Sequence, residues 1–153
     1  MYKSNSSIFS NYNIWLNAVK NDKKTFDELK SIENDEKEIT DRFYCDLKFG
    51  TGGLRGKLGA GTNRMNVYVV SRATRGLAAY INKTTKGNKS VVIAYDSRNM
   101  SREFAFLAAD VFSSAGIKTY VFNTLTPTPI LSFAVRYLKT SAGIVITASH
   151  NPK

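Results

Sequence analysis

The sequence predicts an α/β fold: a three-layer domain with a mixed, largely parallel sheet, preceded by a helical extension. Short apolar runs rich in β-branched residues alternate with amphipathic stretches in the second part of the chain. This succession is typical of parallel strands joined by right-handed helical crossovers. A dense run of glycines begins after Phe49 and separates this part from a polar, charged N-terminal part. We therefore expect a helical extension over residues 1–48 and the α/β domain over residues 49–153.

Three helices are predicted in the extension. The first has one short apolar face, formed by Ile14, Trp15 and Ala18. Thr25 is the expected N-cap of the second helix, because Glu28 stands at the capping-box position three residues on. The third helix is expected to begin near Asn34 and to carry apolar residues at spacings of four, namely Ile39, Phe43 and Leu47. We expect these helices to brace the core without taking part in chemistry.

Helices and strands then alternate through the α/β domain. Apolar spacing predicts a first helix through Val67, Val70, Thr74, Leu77, Ala78 and Ile81. A second helix is expected to start at Ser101 and to end at Gly116. A third follows the Thr126–Pro129 segment and runs through Ile130, Phe133, Ala134, Tyr137 and Leu138. Three apolar runs are the expected buried strands: Ser90–Asp96, Ile117–Phe122 and Gly143–Thr147.

Positive charge is concentrated in the second part of the chain. The formal net charge is +10, and residues 49–153 hold 14 of the 22 lysines and arginines but only three of the 12 acidic residues. Nucleic acid, anionic membranes and small phosphorylated metabolites are all attracted by a surface of this sign. The motifs must therefore select the partner.

Composition also predicts a compartment. No apolar run approaches the ~20 residues that span a bilayer, and the N-terminus lacks the apolar stretch of a signal peptide. The single cysteine, Cys45, cannot form an internal disulfide and is expected to be a buried helix residue in a reducing environment. These features favour a cytoplasmic protein without a membrane segment.

Polar clusters follow each of the three predicted strands. They are Asp96-Ser97-Arg98, Asn123-Thr124 with the Thr-Pro repeat, and Ala148-Ser149-His150-Asn151-Pro152. Ligands of open α/β sheets bind outside the carboxyl ends of the strands. The binding site is therefore predicted around these loops.

Ser149 is the best candidate nucleophile among these residues. The small Ala148 leaves room beside it, and Pro152 stiffens the exit of the loop. The alternative is a plain turn, because serine and asparagine are common turn residues. A hydrolase triad is not favoured, since His150 is the immediate neighbour of Ser149 and no Gly-x-Ser-x-Gly motif is present.

A second candidate is the glycine-rich run Gly50–Gly56, which presents Arg55. No strand is predicted before it, as a dinucleotide fingerprint requires, and Lys57 is followed by Leu58 where a P-loop has Ser or Thr. Backbone amides and a guanidinium can still hold phosphate oxygens together. Arg55 is therefore a candidate anion clamp, the alternative being a solvated surface arginine.

Three segments together resemble the α-D-phosphohexomutase family: Phe49-Gly50-Thr51-Gly52-Gly53-Leu54-Arg55-Gly56, Gly61-Thr62-Asn63-Arg64-Met65-Asn66 and Thr147-Ala148-Ser149-His150-Asn151-Pro152. The resemblance covers nearly the whole chain and is greatest to the phosphoglucomutase and phosphopentomutase branch with a helical N-terminal extension. It implies the first-domain fold of phosphoglucomutase and a sugar phosphate substrate. It also implies a serine that is phosphorylated at rest, donates its phosphoryl group to the sugar and takes the other one back.

The same resemblance implies roles for individual residues. Ser149 would carry the phosphate, and through it would bind Mg²⁺, with a glucose 1,6-bisphosphate-type activator as a further cofactor. Arg55 would lie beside the phosphoserine, and His150 would support the site. Phosphate or substrate would also contact Thr51, Gly52 and Asn151.

The family's aspartate metal loop, sugar-recognition loop and distal phosphate clamp have no counterpart in these 153 residues. We therefore expect the chain to be the N-terminal part of the enzyme, with the remaining domains as its partners, and to be inactive alone. Glucose 1-phosphate is the expected substrate, with phosphopentomutase or phosphomannomutase activity as alternatives. A basic nucleic-acid-binding module is the alternative of another class, but no nucleic-acid-binding motif supports it and no such partner is expected.

Overall fold

The computed structural model describes residues 5–50 and 53–147, and the chain divides into two compact units. Unit 1 is Met1–Val69 and unit 2 is Val70–Lys153. The elements that begin in unit 1 are α1 (Asn5–Ala18), α2 (Lys23–Ser31), α3 (Glu36–Phe43), β1 (Phe49–Gly50), β2 (Gly53–Leu54) and α4 (Val67–Thr84). Helix α4 continues into unit 2, which also contains β3 (Ser90–Tyr95), α5 (Ser101–Ser114), β4 (Lys118–Val121), α6 (Thr128–Tyr137) and β5 (Ala142–Ile146). The domain boundary expected between residues 48 and 49 stays a prediction.

The core of unit 1 lies between α1, α2 and α3. Its buried side chains are Ile8, Tyr12, Val19, Leu29, Ile32, Ile39, Phe43 and Ala60. The face predicted for α1 is partly wrong, since Ile14 is 60% exposed and Ala18 is also exposed. The buried residues of α1 are Ile8 and Tyr12, whose spacing of four places them on one side of the helix. Trp15 belongs to that side and packs edge-on against Phe43.

Helices α2 and α3 begin at aspartates. Asp22 caps α2 by accepting hydrogen bonds from the Thr25 amide at 3.2 Å and the Thr25 hydroxyl at 2.6 Å. The prediction that Thr25 is the cap is therefore wrong, because the capping side chain lies three residues before it. Asp35 caps α3 by accepting from the amide of Glu38.

Helix α3 ends at Phe43, earlier than predicted. Leu47 lies beyond the helix, where its amide donates to the carbonyl of Thr62 at 2.9 Å. Cys45 also lies beyond the helix end and is half-buried, so the prediction of a buried helix residue is wrong. The chain leaves the helix here because its backbone pairs with the segment around Thr62.

Unit 2 is an α/β layer built on three parallel strands in the order β4-β3-β5. Every residue of β3 is buried, as expected for a central parallel strand covered on both faces. One face packs Val91, Ile93 and Tyr95 against α4 and α5, and the other packs Val92 and Ala94 against α6. The predicted α/β fold with a largely parallel sheet in three layers is confirmed.

Helix α6 has the predicted position but a different buried face. Leu131 and Ala134 are buried, whereas Ile130, Phe133 and Tyr137 are exposed, and Leu138 is the C-cap residue. The side that faces the sheet carries Leu131, Ala134 and Val135, which lie three and four residues apart. A Cβ atom at Gly143 of β5 would lie 2.5 Å from Cγ2 of Val135, so glycine permits the close approach of the helix.

None of the helices described in residues 5–50 and 53–147 is both long and apolar enough to cross a membrane. The expected cytoplasmic location stays a prediction.

Candidate active site

The carboxyl ends of the three parallel strands form one edge of unit 2. The loop after β4 is joined to β3 by the Thr126 amide, which donates to the carbonyl of Tyr95 at 3.1 Å. The end of β5 is joined to the residue after β3 by the Asp96 amide, which donates to the carbonyl of Ile146 at 3.2 Å. The first two predicted polar clusters are therefore held at this edge together with the end of β5, while the third, Ala148–Pro152, lies outside the described residues.

Asp96 makes several polar contacts at the edge. Its Oδ1 atom accepts from the hydroxyl of Ser101 at 2.6 Å and from the amide of Arg98 at 2.9 Å. Its Oδ2 atom accepts from the hydroxyl of Thr147 at 2.5 Å. One carboxylate thus connects β3, the first turn of α5 and the residue that follows β5.

A shallow depression of about 460 Å³ lies beside Asp96, lined by residues of the loop after β3, the start of α5 and Leu125. Its polar lining includes Arg98, Arg102 and Glu103. The guanidinium of Arg102 lies 4.7 Å from the centre of the Phe106 ring, a distance typical of a cation–π contact.

The predicted nucleophile itself lies outside the described residues. Thr147 is the last described residue, and Ser149, His150 and Asn151 follow it in sequence. Their predicted roles stay predictions.

The predicted anion clamp belongs to unit 1. Strands β1 and β2 pair antiparallel, with Phe49 opposite Leu54 and Gly50 opposite Gly53. Thr51 and Gly52 lie outside the described residues, and their predicted contacts with phosphate stay predictions. Arg55 directly follows β2, is exposed, and makes no ion pair or hydrogen bond with the described residues. The described residues therefore use none of its guanidinium donors.

The later glycines of the run pack against protein. Gly61 has a φ of +128°, and a Cβ atom there would lie 2.8 Å from the carbonyl oxygen of Arg42. Gly59 has a φ of +145°, and its Cβ would lie 2.9 Å from Oε1 of Glu28. Only glycine combines this backbone conformation with such close approach. These two glycines bring their loop onto α2 and α3.

Charged side chains hold the same loop, in what we call the arginine cluster, defined by Glu28, Glu38, Asp41, Arg42 and Arg64. Arg64 is 4% exposed, and its guanidinium donates to Oδ2 of Asp41 at 2.6 Å. Arg42 donates to Oε1 of Glu38 at 2.8 Å and to Glu28, whose Oε1 also accepts from the amide of Ala60. Burial opposes the charge of Arg42, but hydrogen bonds to Glu28 and Glu38 outweigh it and raise its pKa.

The arginine cluster as a whole was not among the predicted functional features of the sequence. The spacing of Glu38 and Arg42, one helical turn apart, could have indicated one of its pairs. The contact between Arg64 and Asp41 spans 23 residues, and no local pattern signals it.

No group of three histidine, cysteine, aspartate or glutamate side chains is placed to hold a metal ion within residues 5–50 and 53–147. The described residues therefore do not fit a Mg²⁺ site by themselves, and Mg²⁺ binding through a phosphate on Ser149 stays a prediction.

The family model described as phosphoglucomutase/phosphomannomutase, alpha/beta/alpha domain I, matches residues 46–153, which include the glycine-rich run, the sheet of unit 2 and Ser149. The chain belongs to this family. The predicted family resemblance is thereby confirmed, as is the correspondence of the fold to domain I of the phosphoglucomutase/phosphomannomutase family.

Relatives agree with this assignment. The chain is 51% identical over 111 residues to a phosphoglucomutase of Staphylococcus haemolyticus, covering 72% of the chain and 20% of that protein. It is 42% identical over 149 residues to a phosphopentomutase of Pongo abelii, covering 91% of the chain and 24% of that protein. The chain thus spans a fifth to a quarter of the length of these two relatives. No solved structure gave a significant match.

Proposed function

We propose that the chain is part of a phosphoglucomutase-type enzyme that moves a phosphoryl group between two positions of a sugar phosphate through Ser149. The family match carries the proposal, because it extends over the run Thr147–Pro152 that contains the serine. Staphylococcal relatives named phosphoglucomutase, at 45–51% identity, favour glucose 1-phosphate as the substrate. The relative named phosphopentomutase makes a pentose phosphate the alternative.

In this reaction the resting enzyme carries a phosphoryl group on Oγ of Ser149. A sugar hydroxyl attacks the phosphorus, so that a new P–O bond forms on the sugar, the bond to Oγ breaks and the hydroxyl proton passes to the serine oxygen. The sugar bisphosphate then reorients in the site and returns its other phosphoryl group to Oγ. The transfer depends mainly on positioning and on electrostatic stabilisation of the charged phosphoryl group.

Arg55 is the proposed cation for that charge. Its exposure and its lack of a partner among the described residues support the role, because a guanidinium bound bidentately by carboxylate would be occupied. In the proposal Thr51, Gly52 and Asn151 hold phosphate oxygens, and His150 supports Ser149. These assignments rest on the resemblance of their motifs to the family.

The decisive test is replacement of Ser149 in the polypeptide encoded by the complete reading frame. Glucose 1-phosphate is supplied with Mg²⁺ and glucose 1,6-bisphosphate, and glucose 6-phosphate formation is measured. We expect Ser149→Ala to reduce turnover to background and to abolish the phosphate-sized increase in intact mass. Ser114→Ala is the matched control, because this exposed hydroxyl donates only to the carbonyl of Asp110 within α5.

Retained turnover in Ser149→Ala would exclude the phosphoserine mechanism. Faster turnover of ribose 1-phosphate or mannose 1-phosphate than of glucose 1-phosphate would change the substrate and leave the mechanism intact. The 153-residue chain assayed alone is expected to show no turnover.

A further inference from the structure

The carboxylate of Asp96 lies at the sheet edge, between the ends of β3 and β5. Asp96 follows the central strand β3, and its amide extends the pairing with β5 by donating to the carbonyl of Ile146. Because β3 is buried along its whole length and pairs on both sides, the backbone of Asp96 starts from a rigid base.

The two oxygens of Asp96 face different partners. Oδ1 accepts the hydroxyl of Ser101, in the first turn of α5, and the amide of Arg98. These contacts orient the carboxylate plane. Oδ2 accepts the hydroxyl of Thr147 at 2.5 Å, as expected for a charge-assisted O–H···O bond. The orientation set at Oδ1 therefore fixes where Thr147 is held.

A helix cap does not account for this arrangement. The N-cap residue of α5 is Met100, which makes no side-chain cap hydrogen bond. Thr147 is exposed, and an exposed hydroxyl exchanges its partner for water at small net cost to stability. The Asp96–Thr147 hydrogen bond therefore adds little to the free energy of unfolding. Its better explanation is that it fixes the position of the chain after β5.

We infer that Asp96 is a positioning residue for the phosphoryl-carrying serine, acting through the hydroxyl of Thr147. Ser149 is two residues beyond Thr147, so an error in the position of Thr147 passes directly into the segment that carries the nucleophile. Misplacement by about 1 Å can cost about 100-fold in rate. This inference rests on the proposed function, since it assigns Asp96 to the same reaction.

The test compares steady-state kinetics of variants in the complete polypeptide. We expect Asp96→Asn and Thr147→Val each to lower kcat about 10- to 100-fold while KM changes less than about twofold. Because the two side chains act as one unit, the double variant should lose little more than either single variant. Thr147→Ser keeps the hydroxyl and should restore most of kcat. Asp110→Asn, an exposed acid on the solvent side of α5, is the matched control.

Other outcomes separate the two proposals. Suppose that Ser149→Ala is inactive. The positioning role is then wrong, and the proposed function stands, if the kcat losses of the Asp96 and Thr147 variants multiply in the double variant. The same holds if kcat of Thr147→Ser is as low as that of Thr147→Val. If Ser149→Ala keeps its activity, the proposed function fails first. Should Asp96→Asn fail to fold, the Thr147→Val and Thr147→Ser pair decides the question alone.

Discussion

Unit 1 and unit 2 use charge in opposite ways. Nine of the twelve acidic residues of the chain precede Val70, and five charged residues of unit 1 form the arginine cluster that holds a loop to two helices. Unit 2 has three acidic residues, and one of them, Asp96, connects strand ends through hydroxyl and amide donors. Long charged side chains thus hold an irregular loop in unit 1, whereas in unit 2 one carboxylate connects the ends of paired strands.

We expect the apolar cores to contribute equally to the stability of the two units. Phe43 in unit 1 and Phe112 in unit 2 are both fully buried. Truncation of either to alanine should destabilise its own unit by about 3–5 kcal/mol, because transfer and cavity costs add. Native-state amide hydrogen exchange reports the free energy of opening for each unit separately. A cost limited to one of the two variants would show that only one unit depends on its apolar core.

The arginine cluster should matter to unit 1 alone. We expect Arg64→Met to destabilise unit 1 by about 2 kcal/mol, because Asp41 and two backbone carbonyls lose a charged donor. Arg64→Lys should recover part of this, since lysine keeps the charge but lacks the planar fork. Arg136→Met, an exposed arginine of unit 2 bonded to Ser132, should cost less than about 0.5 kcal/mol.

Hydrogen exchange at several salt concentrations checks this prediction, with the Arg64 effect expected to survive salt because the guanidinium is buried. Equal costs for Arg64→Met and Arg136→Met would remove the contrast between the units.

The smallest effect is expected at the cap of α2 and depends on pH. Hydrogen bonds from the side chain and backbone of Thr25 lower the pKa of Asp22 below its ordinary value of 3.8. A lowered pKa in the folded state means that the stabilisation is complete above that ordinary value and is lost as the pH falls through the folded-state pKa. Asp22→Ala should therefore cost about 1 kcal/mol at pH 7 and progressively less in acid.

Asp22→Asn provides the control for this cap, because its amide oxygen still accepts from Thr25 but carries no charge. We expect it to retain most of the stability at pH 7 and to remove the acid dependence contributed by residue 22. Urea unfolding of unit 1 followed by the Trp15 fluorescence at pH 3 to 7 measures both variants. A cost of Asp22→Ala that grows in acid would contradict the assignment.

Much of the fold could be predicted because it depends on local patterns. Strand β3 is a continuous apolar run, and four of the five buried positions of α4, namely Val70, Thr74, Ala78 and Ile81, follow the predicted helical spacing. The buried face of α6 was missed because the helix has two apolar stripes at helical spacing. Leu131, Ala134 and Val135 form the one that packs on the sheet, and Ile130, Phe133 and Tyr137 form the exposed one, so only the packing decides between them. The N-cap of α2 was missed because both Asp22 and Thr25 are good capping residues and only the backbone conformation decides between them.

The candidate site could be predicted in part. Topology predicts that polar residues after β3, β4 and β5 meet at one edge, and the structure brings together Asp96, Thr126 and Thr147. The pairing of Asp96 with Thr147 spans 51 residues and depends on strand register, which the sequence pattern does not specify to one residue. Arg55 is exposed, which fits both an anion clamp and a solvated surface arginine, so its role stays a prediction, as do the roles of Ser149 and His150.

The single thiol of the chain offers a practical consequence. Cys45 is half-buried in unit 1, with its Sγ atom 3.5 Å from Oδ1 of Asn63, and unit 2 has no cysteine. The rate at which an alkylating reagent modifies the natural sequence therefore measures how often the chain opens around this loop. Mass spectrometry of Cys45 alkylation can therefore measure local unfolding of unit 1 without an introduced cysteine.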